Sequence, residues 1–163
     1  MQVSPRARSV LPPLLACLLA GCTIGAPSTF TVNGASVDSA YTCPYRANNA
    51  AYDVHGTVDV RNGTSSSVTI KSVSATITLV AVHGNWLEPV GDKYDAGEAT
   101  FSPTNVGAGR SAALKVMIPS ACTNGNAQTM TTSYGDYSVT MTITTSTGTY
   151  RVQSANLHRI IPA

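Results

Sequence analysis

Apolar and polar residues alternate with a period of two along much of this 163-residue chain. That period belongs to half-buried β-strands, because successive side chains of a strand point to opposite faces. In Tyr52-Asp53-Val54-His55-Gly56-Thr57-Val58-Asp59-Val60-Arg61 the apolar members fall on even positions. After the turn-rich Asn62-Gly63-Thr64-Ser65-Ser66-Ser67, Val68 and Ile70 point inward, and then Val73, Ala75, Ile77 and Leu79 do. The phase flips between Ile70 and Val73, which predicts a bulge at Lys71-Ser72, since one extra residue restores the inward set. Leu114, Val116 and Ile118 alternate up to Pro119, and Tyr137, Val139, Met141 and Ile143 alternate again. A tight connection at Ser146-Thr147-Gly148 leads to Tyr150 and Val152. Residues 29–32 and 36–37 read as an earlier strand pair, and residues 99–102 as a weaker strand. No helical period competes, and Thr (21) and Ser (17) outnumber Leu, Glu and Lys. The expectation is an all-β protein, an antiparallel sandwich of about seven to nine strands.

Charge narrows the function classes. The chain carries 10 Lys+Arg against 8 Asp+Glu. Arg6 and Arg8 belong to an N-terminal segment that reads as removable, and the remainder is balanced. A protein that neutralises nucleic-acid phosphates needs a clustered basic face, so nucleic acid is excluded as a partner. With 43% hydrophobic residues the chain can fill a core, which argues against disorder.

The N-terminal segment is basic and then apolar: residues 10–20 are almost wholly apolar, too few to span a bilayer. It ends Leu19-Ala20-Gly21-Cys22, which resembles the lipobox of bacterial lipoproteins. The resemblance implies a signal peptide over residues 1–21 and a mature chain that starts at Cys22, its thiol carrying a diacylglyceryl group with fatty acids such as palmitate. Residues 22–28 then form the lipidated Cys and a short tether, and residues 29–163 the folded domain. An extended tether spans only about 20 Å, which holds the domain close to the lipid. Two or three acyl chains anchor stably where one holds marginally. The implied location is extracytoplasmic, at a bacterial cell membrane or outer membrane, with the membrane itself a partner through the anchor. The alternative is a secreted protein cut nearby.

On the same resemblance Cys17 leaves with the signal and Cys22 is acylated, so Cys43 and Cys122 remain in an oxidising setting. A single disulfide between them is expected, against the alternative of a reactive or metal-binding thiol. The body brings a second resemblance. Gly135-Asp136-Tyr137-Ser138-Val139 resembles the entry to strand F of immunoglobulin-like domains, where the Tyr hydroxyl ties the corner to upstream backbone. Gly107-Ala108-Gly109-Arg110-Ser111 is similar to the Gly-rich turn before strand E of bacterial modules of that kind. The implied fold is an immunoglobulin-like β-sandwich. Cys43 and Cys122 depart from its pattern, because its inter-sheet disulfide joins strands B and F.

Chemistry-bearing constellations are few. His55 faces outward with Asp53, Thr57, Asp59 and Arg61, but same-face residues of one strand stand about 6.6–7 Å apart and rarely converge on one ion. Asp92, Asp95 and Glu98 place three carboxylates in a Gly-containing loop, the weak candidates for a metal, Ca²⁺ by hardness. The copper site of cupredoxins needs a His in the loop after its Cys, and residues 123–130 after Cys122 have none. No Gly-x-Ser-x-Gly, His-Glu-x-x-His or Ser-x-x-Lys motif occurs, so no catalytic residue and no cofactor is assigned. Ser74, Thr76 and Thr78 are expected to share one hydroxyl-covered sheet face with Ser138, Thr140, Thr142 and Thr144. The stretch His83-Gly84-Asn85-Trp86-Leu87-Glu88-Pro89-Val90 holds the only Trp, and with Tyr94 near it Trp86 and Leu87 make the candidate partner-contacting loop; Trp86 packed in the core is the competing reading. The expected function is a non-catalytic interaction or structural module anchored in the envelope and contacting an envelope or surface protein. The alternatives are an extracytoplasmic metal- or small-ligand-binding protein and, behind it, a hydrolase.

Overall fold

The computed structural model describes residues 29–124 and 133–162. The signal, the lipidated Cys22, its tether and the stretch with Met130 lie outside the described residues.

Ten strands form: β1 (Phe30–Val37), β2 (Ala40–Cys43), β3 (Ala50–Asn62), β4 (Val68–His83), β5 (Lys93–Ser102), β6 (Asn105–Val106), β7 (Ser111–Cys122), β8 (Tyr134–Thr145), β9 (Thr149–Gln153) and β10 (His158–Pro162). The long ones are those with the clearest alternation. Along β3 the inward set Val54, Gly56, Val58 and Val60 is buried while Asp53, His55, Asp59 and Arg61 are exposed. One layer runs β1-β3-β7 and ends on the last residues of β5, where Thr100, Phe101 and Ser102 pair with Met117, Val116 and Lys115. The other runs from the first part of β5 through β4 and β8 to β9 and β10, with β2 at its edge. These are the A-B-E-D and C-F-G layers of an immunoglobulin-like sandwich, with β5 changing layers partway along its length.

The bulge forms where the phase of the sequence flips: Ile70 faces Thr145 and Ser72 faces Thr144, so Lys71 is the inserted residue. Val73, Ala75, Ile77 and Leu79 thereby reach the core, opposite Val54, Val58, Leu114, Val116 and Ile118 of the first layer. Each fully buried side chain of this size contributes about 1.5–3 kcal/mol.

Four expectations are corrected. The strands number ten among the described residues, because β2, β6 and β10 are too short for alternation to show. Phe30–Val37 make one strand with a bulge between Val32 and Gly34, not a strand pair. The sandwich is not wholly antiparallel, since β10 lies parallel to β2 with Ile160 opposite Tyr41. The carboxylate-rich stretch is not a loop: residues 93–98 are strand, and the extra residue is absorbed by a bulge at Gly97, whose φ of 68° suits a residue without Cβ. Asp95 accepts the Gly97 N–H at 3.0 Å. Among the described residues no three His, Cys, Asp or Glu side chains converge to hold an ion, Asp92, Asp95 and Glu98 included.

Candidate functional site

The expected disulfide is present. Cys43 at the end of β2 and Cys122 at the end of β7 join the two layers across 79 residues of chain. They mark one pole of the sandwich. The other pole holds the start of β1, where Phe30 lies opposite Asn62. Strand β3 runs from one pole to the other, and its thirteen residues set them about 40 Å apart.

Around the disulfide pole the segment between β4 and β5 folds over the open end of the sandwich. Trp86 is half-buried and packs against the core, while Leu87 is 62% and Val90 56% exposed. The Gly135-Asp136-Tyr137 motif explains this packing residue by residue. A Cβ on Gly135 would stand 2.7 Å from the Trp86 ring, so only Gly admits it. Asp136 turns outward and accepts two bonds from the Arg159 guanidinium, at 2.7 and 3.0 Å. Tyr137 turns inward, and its hydroxyl accepts from Trp86 Nε1 at 3.1 Å and donates to Glu88 Oε2 at 2.6 Å. The corner expected from strand F is therefore replaced: the hydroxyl ties to two side chains of the β4–β5 segment, not to upstream backbone. Burial and the Glu88 carboxylate together push the Tyr137 hydroxyl well above the usual phenol range, which keeps it neutral.

A cleft of about 270 Å³ opens beside this loop, between the layers. It exists because β5 pairs with β4 up to Ala99 and with β7 only from Thr100, so the ends of β5 and β7 diverge. Tyr94 lies opposite Ile77, on the inward register, yet is 48% exposed, because no described strand of the other layer covers it there. Ile77, Tyr137 and Ile160 line the floor, and Tyr52, Ser120, Asn49 and Thr123 the facing wall. Glu88, Asp92 and Lys93 bring two carboxylates and one ammonium to the rim.

Tyr52 is held from behind. Its ring stacks on Tyr41 with centroids 3.9 Å apart, and its hydroxyl lies 3.3 Å from Nε2 of His158. His158 is fully buried, and its Nδ1 lies 2.9 Å from the Asp38 carbonyl and 3.1 Å from the Asp38 carboxylate. The Asp38 carbonyl can only accept, which assigns a proton to Nδ1 and, in the neutral ring, leaves Nε2 to accept from Tyr52. Burial, opposed by a hydrogen bond from Ser120 and reinforced by the Asp38 charge, pushes the Tyr52 hydroxyl up to about 12. This is a rigid wall of neutral hydroxyls, poor as a nucleophile, whose protons are already taken by His158 and Glu88.

Of the residues singled out in the sequence, Trp86, Leu87 and Tyr94 do meet at one pole. Trp86 takes the half-buried position and Leu87 and Tyr94 the exposed ones. Tyr41, Tyr52, Ser120, Tyr137 and His158 were not singled out as one site. Their separations, up to 117 residues, carry no local signal; Tyr52 showed only as an inward member of an alternating strand. Ser74 stands opposite Thr142, Thr76 opposite Thr140 and Thr78 opposite Ser138, so the hydroxyls share one face, but Ser138 itself is buried. The face lies on the outer side of its layer, away from the cleft.

No protein-family model matches this chain, and no curated protein does. Among solved structures, the ASH/PapD-like domain 7 of human CEP192 is similar at 13% identity, over 100% of this chain and 96% of that one, with a TM-score of 0.40. The VesB protease of Vibrio cholerae is 12% identical over 79% of this chain and 32% of that one, with a TM-score of 0.25. The CooA pilin subunit of enterotoxigenic Escherichia coli is 12% identical over 80% and 99%, with a TM-score of 0.28. No residue role is carried over from any of them.

Proposed function

We propose that this chain is a lipid-anchored module of a bacterial envelope that binds a partner without catalysing a reaction, using the pole of the sandwich farthest from its anchor. The lipobox resemblance at Leu19-Ala20-Gly21-Cys22 supports the anchor. The observation that carries the reading is polarity. Residue 29 enters the domain at the Phe30–Asn62 pole, and the exposed apolar residues Tyr45, Leu87, Val90 and Tyr94 cluster with the disulfide, about 40 Å away. A chain held by Cys22 on a short tether presents that cluster outward. Exposed aromatic and aliphatic groups around a rigid pocket are the usual anchors of a binding surface, and the disulfide and sandwich hold the loops that display them.

Photo-crosslinking in cells tests this. A photoreactive residue in place of Leu87 captures a protein or glycoconjugate partner, and one in place of Thr147, in the β8–β9 turn of the tether pole, does not. Cys22→Ala moves the protein out of the membrane fraction. Capture from Thr147 but not from Leu87 overturns the polarity, and retention of Cys22→Ala in the membrane overturns the anchor.

A further inference from the structure

We infer that the interlayer cleft is a binding site for a neutral saccharide unit of one or two rings; the inference rests on reading the disulfide pole as the recognition surface. Four features of the cleft select this class. Its volume of about 270 Å³ sits at the small end of ligand pockets, which fits a compact ring and excludes an extended peptide or a lipid tail. Tyr94 presents an inward-register ring that no described residue of the other layer covers, a platform for the C–H face of a pyranose.

The polar groups suit hydroxyls. The carboxylates of Glu88 and Asp92 accept charge-assisted bonds from O–H donors, and the Ser120 oxygen, whose proton goes to the Tyr52 hydroxyl, accepts as well. Among the described residues no Arg or His lines the cleft, so they offer a phosphate or sulfate no forked or imidazolium partner. Lys93 on the same rim opposes a cationic ligand, which three tyrosines and two carboxylates would otherwise favour. The walls are already in place: Tyr52 is fixed by Tyr41 and His158, and Glu88 by Tyr137, so little ordering is left for the ligand to impose.

Trp86 is the only Trp of the chain and reaches Glu88 through the Tyr137 hydroxyl, so its fluorescence reports on the rim. The experiment uses the full lipidated protein in detergent against an array of neutral mono- and disaccharides, with choline as the cationic comparison. At least one saccharide shifts the Trp86 emission saturably, and choline does not. Tyr94→Ala weakens that saccharide about tenfold or more, while Tyr94→Phe, which keeps the ring, stays within about twofold. Absence of any saccharide response, or saturable binding of choline abolished by Glu88→Gln, overturns the inference. Partner capture from Leu87 in the same preparation, with the saccharide arm negative, overturns the ligand class and leaves the interaction surface standing.

Discussion

Replacing Gly135 by Ala isolates the contact that seats the β4–β5 loop on the sandwich. Strand β8 by itself favours the change, because Gly in a strand interior costs about 0.5–1 kcal/mol relative to Ala in lost chain entropy. The structure opposes it. The new Cβ stands 2.7 Å from two ring carbons of Trp86 and 3.0 Å from its Nε1, where real Cβ atoms are not found. The ring cannot swing aside freely, since Nε1 is bonded to Tyr137, whose hydroxyl is bonded in turn to Glu88. Overpacking of this kind costs about 1–3 kcal/mol. The net expectation is a loss of about 1–2 kcal/mol in urea unfolding with an unchanged m-value, together with a red-shifted Trp86 emission. A double-mutant cycle separates the two effects. In a Trp86→Ala background the obstacle is gone, and Gly135→Ala becomes neutral or stabilising by about 0.5–1 kcal/mol. If Gly135→Ala destabilises equally in both backgrounds, the Trp86 ring is not what reserves this position for Gly, and the account of the loop's seating is refuted.

Two further outcomes are expected. Replacing both Cys43 and Cys122 by Ala releases a 79-residue closure, which in the chain-entropy model costs about 4.5 kcal/mol at 25 °C and lowers Tm by roughly 10–15 °C; a calorimetric loss under about 1 kcal/mol would mean that the denatured chain keeps these ends together without the bond. Tyr52 and Tyr137 are both held above the free phenol value of 10, so their contribution to stability is fully present below pH 10 and is lost as pH rises through their folded values, for Tyr52 about 12. Urea midpoints therefore fall above pH 10, and Tyr52→Phe flattens that fall; an unchanged slope in Tyr52→Phe refutes the assignment.

The long strands were legible in the sequence for a simple reason. Alternation is a local property, and β3, β4, β7 and β8 are each long enough to repeat it several times. The flip between Ile70 and Val73 even located the bulge, because a one-residue slip would otherwise send four apolar side chains into water. Short β2 and β10 escaped notice: four or five residues show no period, and their parallel pairing depends on a partner some 120 residues away. The stretch from Asp92 to Glu98 was misread because Gly and carboxylates are turn formers by propensity, whereas pairing with β4 held it extended and left Gly97 to absorb the bulge. Trp86 and Tyr94 stood out by residue type alone, while the wall they face did not.

The sequence by itself determined which side chains of the long strands are inward and that the chain is a β-sandwich. Only the tertiary structure decided where the two layers part, because that depends on β5 leaving β4 for β7 at Thr100, a choice between two hydrogen-bonding partners that no local pattern encodes. The same crossing uncovers Tyr94, brings it to the cleft that Tyr52 walls on the other side, and sets that cleft at the pole opposite residue 29.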